Sequence, residues 1–260
     1  MAYGRRLQRS RYELKYLIDE SLVQRLRDFT TTYLEPDEHA LEENGWEYAV
    51  HSLYLDSPSF ALCRATLQGH KNRYKLRIRF YDLSPDSPVF FEIKRRVSDV
   101  ILKQRAKVRR DAVEALLAGD MPSLSCLANG SASNGNDLGA LQEFCSLRDM
   151  IGARPQLFVS YLREAYVTQH DNSVRVTFDR RICGIPYRGR FQIGGFEDPV
   201  FPDIAGVVLE LKFTDRFPNW IRQMVQIFDL ERRAMAKYVT CVCTLSRQPH
   251  RLQQARELRV

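Results

Sequence analysis

Three phrases of one form, Glu13-Leu14-Lys15, Glu92-Ile93-Lys94 and Glu210-Leu211-Lys212, set a carboxylate and an ammonium two residues apart around an aliphatic residue. Each lies in a stretch that reads as β-strand, where alternate side chains share a face, so Glu and Lys project together and the aliphatic residue projects the other way. Further cations keep the same spacing: Lys75, Arg77 and Arg79, then Lys103, Arg105 and Lys107. Like charges so placed repel unless something anionic lies across them. Rows of guanidinium forks and ammonium point charges are chemistry for phosphate, and the few carboxylates among them could hold a divalent cation through oxygen. The blander reading is an antiparallel sheet with one face in water, where surface ion pairs contribute only about 0–1 kcal/mol each. The dominance of Arg, Lys and Glu on these faces argues against it.

The elements that must carry these residues are strands. Alternation predicts eight of them, near residues 11–18, 47–55, 73–81, 89–95, 100–109, 156–168, 173–180 and 207–213, enough to close a barrel. In each, an oily face opposes an ionic one, as where Leu76, Ile78 and Phe80 alternate with Lys75, Arg77 and Arg79. Helical spacing marks Asp19 to Tyr33 and Pro218 to Asp229, and a shorter helix is expected around Leu141 to Met150. The expected class is therefore α+β, an eight-stranded antiparallel barrel with helices packed outside. The tract 119–139, rich in Ser, Asn, Gly and Asp, reads as a flexible insertion in a single domain spanning 1–260.

Composition bounds the partners. The 260 residues hold 44% hydrophobic and 27% charged side chains, and 39 Lys and Arg against 32 Asp and Glu leave a formal charge of +7, which favours phosphate-bearing partners. Six cysteines without C-x-x-C spacing and an N-terminus lacking an apolar signal core predict a reducing, cytoplasmic setting. No apolar run approaches the roughly 20 residues that span a bilayer, so membrane association is expected only through a partner protein. The basic segment 247–259 reads as a solvated terminal helix. Nucleic acid is disfavoured, because the aromatics form no evident stacking platform among the basic residues and no helix-turn-helix or zinc pattern occurs. Cys241 and Cys243, two apart in a helical pattern, point to different sides and read as packing residues.

In chain order, Arg11-Tyr12-Glu13-Leu14-Lys15-Tyr16, Ser52-Leu53-Tyr54-Leu55-Asp56, Lys75-Leu76-Arg77-Ile78-Arg79-Phe80-Tyr81, Phe91-Glu92-Ile93-Lys94-Arg95, Lys103-Gln104-Arg105, Ser160-Tyr161-Leu162-Arg163, Val174-Arg175-Val176-Thr177-Phe178-Asp179, Leu209-Glu210-Leu211-Lys212-Phe213 and Ala236-Lys237-Tyr238 form a set. The set resembles the VTC domain, the polyphosphate polymerase branch of the triphosphate tunnel metalloenzymes, over roughly residues 9 to 245. The resemblance implies a tunnel that takes ATP or another triphosphate with Mn²⁺ or Mg²⁺ and moves the γ-phosphate onto inorganic polyphosphate. It implies that Lys15, Arg77, Arg79, Lys94, Arg163 and Arg175 bind phosphate, that Lys237 serves the acceptor end, that Tyr161 stacks on the base, and that Glu210 holds the metal. Glu13 and Glu92 are further metal candidates, with pairing to neighbouring cations the favoured role. Lys75, Lys103, Arg105 and Lys212 share the ionic faces and are expected to touch substrate. Arg11 stands where the wider superfamily opens E-x-E-x-K with Glu, which weighs against a cyclase or thiamine-triphosphatase activity. Two other readings remain: a tunnel triphosphatase using water, and a silent module that binds polyphosphate or another anion.

Overall fold

The computed structural model describes residues 11–40, 42–128, 135–169, 173–191, 198–214 and 216–247. The strands are β1 (Arg11–Ile18), β2 (Glu35–Pro36), β3 (Glu47–Asp56), β4 (Arg73–Phe80), β5 (Val89–Val97), β6 (Val100–Val108), β7 (Arg154–Val167), β8 (Val174–Pro186) and β9 (Val207–Thr214). They lie in the order β7-β3-β4-β5-β6-β1-β9-β8, and pairing of β8 back onto β7 closes an eight-stranded antiparallel barrel. The two-residue β2 pairs with the end of β7 at Tyr166 and Val167.

All eight expected strands are present, since alternation is a strong signal where one face is buried and the other charged. β8 runs past its expected end at Arg180 to Pro186. There its inner positions turn apolar, with Ile182 and Gly184 replacing charged residues, so the ionic pattern stops before the strand does.

Six helices lie on the outside: α1 (Val23–Thr31), α2 (Ala61–Leu67), α3 (Val113–Ala118), α4 (Gly135–Met150), α5 (Asn219–Ile227) and α6 (Lys237–Ser246). α1 and α5 bury Leu26, Ile221 and Met224 against Val176, Phe178, Leu209 and Leu211 of the outward strand faces. α3 and α4 bury Leu116, Leu141 and Phe144 against Leu76, Ile78, Phe91 and Ile93. Full burial of such a side chain is worth about 1.5–3 kcal/mol, so these outer faces hold the barrel's shape. α4 begins six residues before its expected start at Leu141, at Gly135, and its Asp137 carboxylate accepts a hydrogen bond from the Lys107 amide at 3.0 Å. Within 119–139, Leu127 pairs with Val108 of β6, while residues 129–134 lie outside the described set. The basic segment from residue 248 onward lies outside it too.

Two features position the interior. The carboxylate of Asp56 accepts from the amides of Ser57, Leu62 and Cys63 and from the Tyr238 hydroxyl, so one buried residue caps α2 and anchors α6. α6 itself packs with the inward-facing Tyr54, Leu157, Val159 and Val208, covering part of one end of the barrel with an apolar cluster. The ladder is thin at one seam. β1 meets β6 in a single registered pair, Arg11 with Ile101, and the segment before α6 takes up the free edge of β1 through Tyr16 with Arg232 and an Arg233 amide donating to the Lys15 carbonyl at 3.0 Å.

α6 can sit this close because residue 184 is glycine: a Cβ there would lie 2.8 Å from the Cys241 Cβ. Gly184→Ala is expected to lower unfolding stability by about 1–3 kcal/mol through overpacking, measured by urea denaturation; unchanged stability would mean that α6 does not press on β8.

Candidate functional site

The registers put the three repeated phrases on adjoining walls with their charged residues inward. Glu13 faces Lys212 and Lys15 faces Glu210 across β1 and β9, while Lys75 faces Lys94 and Arg77 faces Glu92 across β4 and β5. Between the two rims, nine cations (Lys15, Lys75, Arg77, Arg79, Lys94, Lys103, Arg163, Lys212, Lys237) surround four carboxylates (Glu13, Glu92, Asp179, Glu210). Burying this many charges gives little stability by itself, and the excess is cationic.

Each carboxylate is held from several sides. Glu210 meets Lys15 at 3.0 Å, Lys212 at 2.6 Å, Lys237 at 2.8 Å and Arg163 at 3.5 Å. Against the cost of burial, these cations keep its carboxyl well below the usual range. Glu13 bridges Lys15 and Lys94 at 3.0 and 2.6 Å, and Glu92 bridges Arg77 and Lys103 at 2.6 and 2.5 Å. Asp179 is fully buried, takes both arms of the Arg163 fork at 2.7 Å and meets Lys237 at 2.5 Å. Lys237 comes from the first turn of α6, so the helix that covers one end also delivers a cation to the interior.

The remaining cations are held loosely. The Arg79 guanidinium donates to the Ser52 hydroxyl at 3.3 Å and the Tyr161 hydroxyl at 3.2 Å. No carboxylate lies within 4 Å of the Lys75 ammonium among the described residues. Burial, then the nearby Lys15 and Lys94, push it down to about 7. At the opposite rim, Arg175 contacts Asp37 at 2.5 Å and donates to the Tyr48 hydroxyl at 3.0 Å, yet its Nε is buried without a partner. Arg11 has two such nitrogens, Nε and Nη2. Buried N–H groups without acceptors are rare; besides Arg110 Nη1, which lies outside the barrel, the described guanidinium donors of this kind are those of Arg11 and Arg175 near one mouth, where they are placed to donate to an anion.

The structure thus brings Lys15, Lys75, Arg77, Arg79, Lys94, Lys103, Arg163, Lys212 and Lys237 together with Glu13, Glu92 and Glu210, sets Arg175 at one mouth, and leaves Arg105 exposed at that rim over the Phe90 ring at 4.4 Å. Two of the expected site residues have further partners in the structure. Tyr161, expected to stack on a base, is 5% exposed in the apolar cluster under α6, and its ring carries Arg163 at 5.2 Å and Lys237 at 4.9 Å. Its ring face thus lies against two of the inward cations. Glu210, expected to hold a metal, has both oxygens engaged by ammonium and guanidinium groups, whereas Glu13 and Glu92 each accept a hydrogen bond through Oε2 and keep a buried Oε1 in ion-pair contact without a hydrogen-bond partner. Among the described residues no three His, Cys, Asp or Glu side chains converge as a metal site. Asp179 and Asp37 were missed. Asp179 was visible as an inward residue two past Thr177, but nothing local showed its partners.

The family profile of the VTC domain matches residues 10–246. The chain belongs to the VTC-domain family. No curated protein matches it. Among solved structures, the PH1819 protein of Pyrococcus horikoshii OT3 is similar with a TM-score of 0.45 and 12% identity, covering 92% of this chain and 99% of that one. A putative adenylate cyclase from Bacillus halodurans gives 0.46 and 14%, covering 88% and 94%. Likenesses this distant carry no argument about activity. No helix of the described VTC domain is long and apolar enough to cross a membrane.

Two outcomes test the site. Asp179→Ala removes both bonds of the Arg163 fork and leaves Arg163 and Lys237 buried with Glu210 as their one shared carboxylate, and is expected to cost up to about 3–5 kcal/mol in urea unfolding, whereas Glu231→Ala, in an exposed pair with Arg233, changes little. For Lys75, the depressed folded value means that the native state sheds this proton near pH 7 while the unfolded chain keeps it to higher pH. Its burial penalty is therefore full below about 7 and fades above, so its contribution to stability rises with pH. Anion binding needs the charged form. Lys103, which burial also pushes down to about 7, adds to the effect: affinity for inorganic tripolyphosphate should fall as pH rises through about 7, and Lys75→Met should make that part of the profile shallower in calorimetric titrations.

Proposed function

We propose that this chain is a polyphosphate polymerase, transferring the γ-phosphate of a nucleoside triphosphate to a polyphosphate chain inside the barrel. The observation that carries the reading is the unneutralised cationic interior, with buried guanidinium N–H groups that lack acceptors. Membership of the VTC-domain family agrees with it.

Phosphoryl transfer asks for alignment of attacking and leaving oxygens and for stabilisation of charge spread over the transferred group. Arg79 of β4, whose guanidinium meets only the Ser52 and Tyr161 hydroxyls among the described residues, supplies a fork for phosphate oxygens; Arg77 beside it and Arg163 of β7, on the far side of β3, add positive charge while their forks hold Glu92 and Asp179, with Arg175 and Arg11 at the mouth. Lys75, Lys94 and Lys15 lie toward the other end, where the acceptor chain would lodge, and Lys237 neutralises the wall beneath. Asp179 and Glu210 hold Arg163 and Lys237 in place rather than touching phosphate. Fixed donors of this kind need no reorganisation when charge shifts between bridging oxygens. Any divalent cation is part of the nucleotide complex that enters, since the inward carboxylates are engaged by the protein's own cations.

One observation favours transfer to phosphate over hydrolysis. Activating water is helped by a free general base, and Glu13, Glu92, Asp179 and Glu210 are each in contact with two or more of the protein's own cations. A terminal phosphate oxygen is already ionised and needs no such base.

Purified protein given ATP with Mn²⁺ is expected to accumulate long polyphosphate and ADP, and Arg79→Ala to slow chain formation by about 10²–10³. Free phosphate without chains would establish a triphosphatase, and binding without turnover would establish an anion-binding module; either result overturns the proposal.

A further inference from the structure

The mouth that carries Arg11 and Arg175 also gathers aromatic rings. Tyr48 of β3 and Phe90 of β5 occupy inward positions at that end, Tyr81 directly follows β4 on the face of Arg79, and His39 reaches them from the turn after β2. His39 lies over Tyr81 at 6.0 Å with planes 26° apart and meets Tyr48 edge-on at 5.9 Å. Tyr81 in turn meets Tyr48 at 6.3 Å and Phe90 at 5.9 Å. The rings of the outer core, such as Phe91 and Phe144, are wholly covered, whereas Tyr48, Tyr81 and Phe90 are half-buried and the His39 side chain is 59% exposed. These rings are therefore not spent on packing alone.

The rim is tied to the phosphate-facing cations by one residue. The Asp37 carboxylate accepts from the His39 amide at 3.0 Å, fixing the turn that presents the imidazole, and contacts Arg175 at 2.5 Å. The Tyr48 hydroxyl accepts from the same guanidinium. Aromatic faces thus stand at the doorway of a cationic passage whose nearest guanidiniums have buried N–H groups without acceptors. A planar, π-rich group bearing a chain of phosphates matches both halves at once; inorganic phosphate chains match only the second.

We propose that His39, Tyr48, Tyr81 and Phe90 form the subsite for the base of a nucleoside triphosphate, with Arg11 and Arg175 receiving the first phosphates behind it. The inference rests on the tunnel reading and adds the residues that distinguish a nucleotide from a bare triphosphate. Because the site is made of ring faces, it grips any purine by stacking with little discrimination between bases.

Isothermal titration of the full chain with a non-hydrolysable ATP analogue and with inorganic tripolyphosphate, both as Mg²⁺ complexes, separates the two halves. Tyr81→Ala and His39→Ala are each expected to weaken the nucleotide about tenfold and leave tripolyphosphate unchanged, Tyr81→Phe to retain nucleotide affinity, and a GTP analogue to bind about as well as the ATP analogue. Equal weakening of both ligands, or no weakening of either, would overturn the rim subsite and leave the polymerase reading standing, whereas wild-type protein that takes tripolyphosphate but not nucleotide would overturn the rim subsite together with the nucleotide as phosphate donor. Failure of the wild-type protein to bind either ligand would overturn both.

Discussion

The interior depends on four carboxylates sharing too many cations. A lone buried ammonium or guanidinium would lose its charge or its place, and a fully paired set would leave no attraction for phosphate. Glu13, Glu92, Asp179 and Glu210 settle this by each holding two or more partners, so that Arg77, Arg163, Lys15 and Lys237 are fixed while the lining as a whole keeps positive charge. The carboxylates act as rivets. The outer faces are mainly apolar, and the charges they carry are met from the helices: Glu164 of β7 by Arg27 of α1 at 2.6 Å and Arg95 of β5 by Glu143 of α4 at 2.7 Å, while α6 alone brings a cation, Lys237, to the inward carboxylates.

α6 also shows how one element serves two solvents. Its Tyr238, Cys241, Val242 and Leu245 join the apolar cluster that covers part of the barrel end, while Lys237, one residue earlier, reaches into the charged zone. Tyr161 stands at the boundary, buried among aliphatic residues on one side and lying beneath two cations on the other. A ring face is among the few surfaces that favour both neighbours, because it is apolar in bulk and negative above its plane.

The eight strands and their two faces were legible in the sequence because alternation of period two runs through most of each; in β8 it breaks near Arg181, where the register with β7 shifts and Ile182 and Gly184 take over the inward face from Arg175, Thr177 and Asp179. The short helices were not. α2 and α3 span fewer than two full turns, too little for helical spacing to emerge, and α2 begins on caps from Asp56 and Ser57 that locally read as a turn. The charged residues could be assigned to the inner face one strand at a time, but their partners could not. Glu210 as a sequence feature is a carboxylate beside one lysine; in the fold it receives Lys15 from β1, Arg163 from β7 and Lys237 from α6. The same limit hid the mouth aromatics, since Tyr48, Tyr81 and Phe90 sit at the ends of different strands and only the barrel register gathers them.

The pairing of β1 with β9 along eight residues, beside its single pair with β6, has a kinetic meaning. The meander from β3 to β6 can form from near neighbours in the chain, but β1 must wait for a strand some two hundred positions later, and loop-closure entropy makes such contacts late. Until β9 arrives, Glu13 and Lys15 remain in water; until α6 follows, Asp179 and Glu210 lack Lys237. Dehydration of the lining is thereby deferred to the last steps of assembly, when its counter-charges are all at hand.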